Sequence, residues 1–251
     1  MRDETEHEGN PRRGFLKRIA VATGSIPLAH GLVGGATVTA AAGSAHAASA
    51  TRSPSGDAAG YTSLSPEEIA FTEAMVNVMC PADSFTPNGV DCGLAIYIDR
   101  QLTGSFGKGA KRYLRGPWAH GKPQHGYQLP LTPEQYFKAG LERANRASAL
   151  RNGRSFDQLT PAQANAFLTD LSSGKVVDAE VDLASWFNEL VYPLFEQACF
   201  ADPIYGGNRD KVFWKVIGYP GLPATHTIDM VRFRGKPFPA AATPRSMADF
   251  G

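Results

Sequence analysis

The residues best suited to chemistry fall in one stretch, Phe200 to Gly221, which reads FADPIYGGNRDKVFWKVIGYPG. It joins the glycine pair Gly206-Gly207 to Asp202, Arg209 and Asp210, and to Tyr205, Phe213, Trp214 and Tyr219. Two kinds of function use such a stretch. One is a phosphate cradle, which needs G-x-G-x-x-G between a strand and a helix so that backbone N–H groups face a dinucleotide. Gly206-Gly207 has neither that spacing nor a strand pattern before it. The other is a rigid corner. Asp202-Pro203 sets a turn, and the glycines allow positive φ and close backbone approach. Asn208 then caps a helix from about Asp210 to Ile217, with Asp210 near the positive end of its dipole. In this form Arg209 pairs with Asp202 or with a carboxylate on another protein, and the aromatic residues offer anchor area for an interface. Whether the corner is an internal support or a docking site stays open at this level.

Other chemistry is weakly signalled. His120 and His125 share the Pro/Gly-rich loop 115–131 with Trp118, so a self-sufficient enzyme built on that loop is the competing reading. Neither H-E-x-x-H nor a nearby cysteine pair accompanies them. A G-x-S-x-G elbow, a C-x-x-C-H haem site and a four-thiolate cluster set are all absent from the sequence. The expectation is therefore a chain with no catalytic, cofactor-binding or metal-ligating residue of its own. Cys80 and Cys92 flank the turn-rich segment PADSFTPNGVD. They form either a disulfide, adding about 3 kcal/mol by restricting the unfolded chain, or two buried thiols. Cys199, between Phe195 and Phe200, reads as buried.

The elements that must position these residues are helical. Ser65-Pro66-Glu67-Glu68, Thr132-Pro133-Glu134-Gln135 and Thr160-Pro161-Ala162-Gln163 each place a hydroxyl at N-cap, proline at N1 and Glu or Gln at N3. That is a capping box with a pre-set first φ. Apolar residues then recur at helical spacing: Ile69, Val76 and Met79; Phe137, Leu141 and Ala144; Phe167, Leu168 and Leu171. Leu94, Ile98 and Leu102 mark a short helix, and Leu183 to Leu194 a longer one that Pro193 should kink or split. No sustained period-two pattern appears, so the fold class is mainly α, a single helical domain with long Pro/Gly-rich loops.

The first 47 residues differ in kind. Arg12, Arg13, Phe15, Leu16 and Lys17 match the twin-arginine export pattern, and Ala45-His46-Ala47 offers an A-x-A cleavage site. Cleavage would take five of the 25 basic and four of the 24 acidic side chains, leaving 20 of each. The organisation expected is a signal peptide 1–47, a linker 48–62, a helical domain 63–232 and a Pro/Ala-rich tail 233–251. The location expected is the periplasm or the outer face of the cytoplasmic membrane. A near-neutral charge argues against a nucleic-acid partner.

The blocks LSPEEIAFTEAMVNVMCPAD, GLAIYIDRQLTGSFGKGAKRYLRGP, HGYQLPLTPEQYFKAGL and FADPIYGGNRDKVFWKVIGYPG, in that order, resemble the gluconate 2-dehydrogenase subunit 3 family. The resemblance covers roughly residues 64–222, and its most specific part is A-D-P-x-Y-G-G-N-x-D. It implies a non-catalytic small subunit of a membrane-associated flavin-dependent dehydrogenase complex. Such a subunit binds, matures and co-exports an FAD-carrying flavoprotein, with a membrane-anchored multihaem cytochrome c possible as a third subunit. It also implies that Asp202, Pro203, Tyr205, Gly206, Gly207, Asn208, Arg209, Asp210 and Trp214 are candidates for the partner interface. A transient assembly factor that leaves after maturation is the remaining alternative.

Overall fold

Capping decides where the main helices begin. In the computed structural model, which describes residues 60–119, 121–122, 125–223 and 225–250, all three predicted boxes form. Ser65, Thr132 and Thr160 accept from the backbone N–H at N3, and Glu68, Gln135 and Gln163 reach back to the N-cap amide. They open α1 (Pro66–Met79), α3 (Pro133–Asn152) and α4 (Pro161–Ser172). Between the first two lies α2 (Leu94–Thr103), and Gly174, at φ +78°, follows the end of α4. The export residues Arg12, Arg13, Phe15, Leu16 and Lys17, the cleavage residues Ala45 and Ala47, and His120 lie outside the described residues, as does the linker up to residue 59.

The long helix predicted around Pro193 is α5, residues 183–200. It runs as α over Leu183–Ser185, as π over Trp186–Val191 and again as α over Tyr192–Phe200. Pro193 does not end it. Proline has no N–H to give to the preceding turn, and here that turn is already widened: the Tyr192 N–H bonds Phe187 O, five residues back. The wider turn also lets the sequence neighbours Trp186 and Phe187 both be buried. Short helices α6 (Val212–Ile217) and α7 (Thr227–Arg232) follow.

α1 packs on α2, α3 and α4, and α5 packs against those same three helices. The core between them holds Phe71, Met75, Ile98, Phe137, Phe156 and Trp186, all at most 1% exposed. Ile69, read as part of the α1 core face, is only half-buried; Phe71 and Met75 fill that place. Phe71 and Phe156 have ring centroids 4.6 Å apart, and Phe156 and Phe167 5.7 Å. Trp186 lies over Gly140 of α3 and donates from Nε1 to Phe137 O at 3.2 Å. Its indole fits only because that position has no Cβ: one built there would stand 2.3 Å from the ring.

A buried carboxylate ties down the chain entering α1. Asp99 accepts from the N–H groups of Thr62, Ser63 and Leu64 at 2.8, 2.9 and 3.0 Å, and from the Thr62 hydroxyl. Residues 233–250, expected as a tail, contact the rest of the domain. The Leu222 N–H bonds Arg245 O and the Arg245 N–H bonds Pro220 O, while Lys211 pairs with Asp249. The described residues are helix, turn and loop, with one isolated bridge between Gly221 and Arg245.

Candidate interaction surface

The corner after α5 is built on two glycine contacts. Gly207 meets the last turns of α5, where a Cβ would lie 2.4 Å from Ala198 O. Gly93, at the start of α2 with φ +79°, meets the corner from below; a Cβ there would lie 2.2 Å from Gly206 O. Gly206 itself has φ +102°, so it is glycine for backbone reasons as well. The Arg209 N–H bonds Cys92 O at 3.1 Å, which fastens the corner to the residue preceding Gly93.

Asn208 holds the far side. It is fully buried, donates from Nδ2 to Ala201 O at 3.1 Å and accepts at Oδ1 from the Phe213 N–H at 3.0 Å. One side chain thus joins the end of α5 to the first turn of α6. Trp214 donates from Nε1 to Phe200 O at 2.8 Å and packs edge-on against Tyr219. Three sequence expectations change. Asn208, Asp210 and Lys211 all have positive φ, so the chain turns left-handed and α6 begins at Val212 instead of Asp210. Asp210 is therefore outside the helix whose dipole it was expected to complement. No Arg209–Asp202 ion pair forms among the described residues, because the Asp202 carboxylate is taken by the Ile204 N–H at 3.1 Å and the Met247 N–H at 2.8 Å.

The nine candidate residues separate by burial. Gly206, Gly207, Asn208 and Trp214 face inward, Asp202 and Pro203 are half-buried, and Tyr205, Arg209 and Asp210 are exposed. Ile204, Tyr205, Val216, Ile217, Met247 and Phe250 are large apolar side chains left in solvent in the same region. The 203–205 turn touches the 247–249 turn, and α6 touches the 239–242 turn, so the C-terminal segment widens this apolar surface. An exposed apolar patch rimmed by charge is the usual form of a protein-binding face. The corner is internal support and outward surface at once, with the division running between adjacent residues.

The competing loop is differently made. His125 shares a shallow hollow of about 320 Å³ with Arg112, Arg115, Trp118 and Tyr127. The Arg112 guanidinium stacks 3.9 Å from the centre of the Tyr127 ring. Beside it, burial and then the nearby Asp182 push the Glu189 carboxyl above its usual range. Among the described residues no group of three or more His, Cys, Asp and Glu side chains could hold a metal ion.

The cysteines are thiols in this structure, and all three are buried. Cys80 and Cys92 come together, their sulfurs 3.7 and 3.5 Å from one acceptor, Pro87 O.

The family model for gluconate 2-dehydrogenase subunit 3 matches residues 66–221, from the first residue of α1 through the corner to the end of the α6 loop. The chain belongs to that family. No curated protein and no solved structure matches it. The family is that of a subunit of a gluconate dehydrogenase complex, which implies partners. Among its described residues no helix is long and apolar enough to cross a membrane. Sequence reasoning missed Gly93, Gly140 and Asp99 in this subunit. A lone Gly before an apolar run is a faint signal for close approach, and a lone Asp within a helix is hardly one at all.

Proposed function

We propose that this chain is the non-catalytic small subunit of a flavin-dependent dehydrogenase complex acting on gluconate or a related sugar acid. It binds the FAD-carrying flavoprotein, supports its maturation and carries it across the membrane on its own twin-arginine leader. The observation that carries the reading is the family match over residues 66–221, which spans α1 to α6. The exposed fringe of the corner, where Ile204 and Tyr205 meet the Arg209–Asp210 turn, supports a partner-binding role. Electrons move in the partner subunits, and the substrate is chosen there.

The test replaces Arg12 and Arg13 by Lys in the full chain, co-expressed with the flavoprotein subunit. Both proteins should stay in the cytoplasm, and membrane-linked oxidation of the sugar acid should be lost. A flavoprotein still exported and active would overturn the reading. So would sugar-acid oxidation by this chain purified alone.

A further inference from the structure

Beneath the corner lies a group of thiols that the proposed role does not use. Cys80 ends α1, Cys92 precedes Gly93 and α2, and Cys199 sits in the last turns of α5. The segment joining the first two is a closed loop. The Gly89 N–H bonds Cys80 O at 2.9 Å, the Cys92 N–H bonds Asn88 O at 3.0 Å, and Asp83 and Asn88 each close a turn within it. This holds both sulfurs against one atom, 3.7 and 3.5 Å from Pro87 O. Residues 81–85 are exposed, with Phe85 at 74%. Cys80 is the most exposed of the three residues, at 8%, against 1% for Cys92 and 3% for Cys199.

We propose that Cys80 and Cys92 are a disulfide-forming pair, closed by thiol–disulfide exchange, and that Cys199 stays a thiol. The neighbouring Cys92 thiol, able to turn its S–H from Pro87 O toward a Cys80 thiolate, holds the Cys80 pKa below the ordinary value. The adjacent Cys80 and then burial push Cys92 up, and burial pushes Cys199 up. A thiolate is the attacking species in exchange, which assigns the order. The Cys80 sulfur attacks one sulfur of a disulfide oxidant and expels a thiolate, giving a mixed disulfide. Cys92 then loses its proton, attacks the Cys80 sulfur and expels the second thiolate. Two protein thiols are oxidised, the oxidant disulfide is reduced to two thiols, and two protons pass to solvent or to the departing thiolates. The bridge cross-links the end of α1 to the residue whose carbonyl receives the Arg209 N–H, and so braces the corner from below.

The pairing is tested on purified full chain, with oxidised glutathione as the probe. Thiols counted by maleimide labelling after denaturation should fall from three to one. Peptide mapping should show a Cys80–Cys92 link and a labelled Cys199. Cys92→Ser should trap glutathione on Cys80, Cys199→Ser should still form the bridge, and the urea midpoint of oxidised wild-type chain should rise. Three labelled thiols after oxidation, or a bridge that includes Cys199, would overturn the proposal. Neither outcome bears on export or on flavoprotein binding, which the signal-peptide experiment reads separately.

Discussion

At the residue scale, two glycines and an asparagine make the corner, and each is required for a different reason. Gly207 lies against a backbone carbonyl that cannot swing away, so Gly207→Ala forces helix α5 and the loop apart. We expect a loss of about 2–4 kcal/mol, in the range of a strained or overpacked buried site. Gly60→Ala, with open space around it and no positive φ, should change stability by less than about 0.5 kcal/mol. Gly153→Ala separates the two causes, since its φ is +70° but nothing lies within 4 Å; about 1 kcal/mol is expected there. Urea denaturation of the three variants checks the order. Asn208→Ala leaves Ala201 O and the Phe213 N–H buried without their partner, and should cost about 2–4 kcal/mol.

At the scale of elements, opposing terms can be weighed directly. Gly140→Ala would gain up to about 1 kcal/mol of helix propensity within α3. The Trp186 ring lies where its methyl must go, and displacing a buried indole costs about 1–3 kcal/mol. The net effect should be destabilising, and the near-ultraviolet circular dichroism of Trp186 should change with it. Removing a cap costs less. Ser65→Ala, Thr132→Ala and Thr160→Ala should each lower stability by about 1 kcal/mol. Asp99→Ala is expected to cost about 3 kcal/mol, because it strips one buried carboxylate from three backbone amides. Hydrogen exchange at Thr62, Ser63 and Leu64 should accelerate in that variant before the rest of the domain responds.

At the scale of the whole molecule, the C-terminal segment is attached by a pH-dependent contact. The Lys211 ammonium, then the Ser246 backbone N–H, draws the Asp249 carboxyl from 3.8 down to about 2. Its folded value lies below the unfolded one, so the contact stabilises the attached state fully above about pH 4. That contribution fades as pH falls from about 4 to about 2. Exchange at the Ser246 amide should follow this window in wild type and lose it in Asp249→Asn. The apolar surface that the segment widens is the expected docking face. Ile217→Glu and Tyr205→Ala should leave urea stability within about 0.5 kcal/mol, since both side chains are exposed. Co-purification of the flavoprotein should nonetheless fall at least tenfold, through a charge placed on the apolar face by Ile217→Glu and through loss of an aromatic anchor in Tyr205→Ala.

Local chemistry made much of this protein legible in advance. Each capping box needs only four residues in a row, so the starts of α1, α3 and α4 could be read directly, and apolar spacing at 3.6 residues marked most of the core faces. The corner itself announced its rigidity through Asp202-Pro203 and Gly206-Gly207. What faced what could not be read. Gly93 answers to Gly206, Gly140 to Trp186 and Asp99 to residues 62–64 across separations that no local pattern encodes. The π turn that absorbs Pro193 likewise depends on packing around Trp186 and Phe187 as much as on the proline. Burial within the candidate interface changes in short blocks, 206–208 inside and 204–205 and 209–210 outside, and only tertiary contact assigns Asn208 to the inside and Tyr205 to the outside. Helix starts are settled within a few bonds of the chain; close approach is settled between distant segments that meet only once the chain has folded.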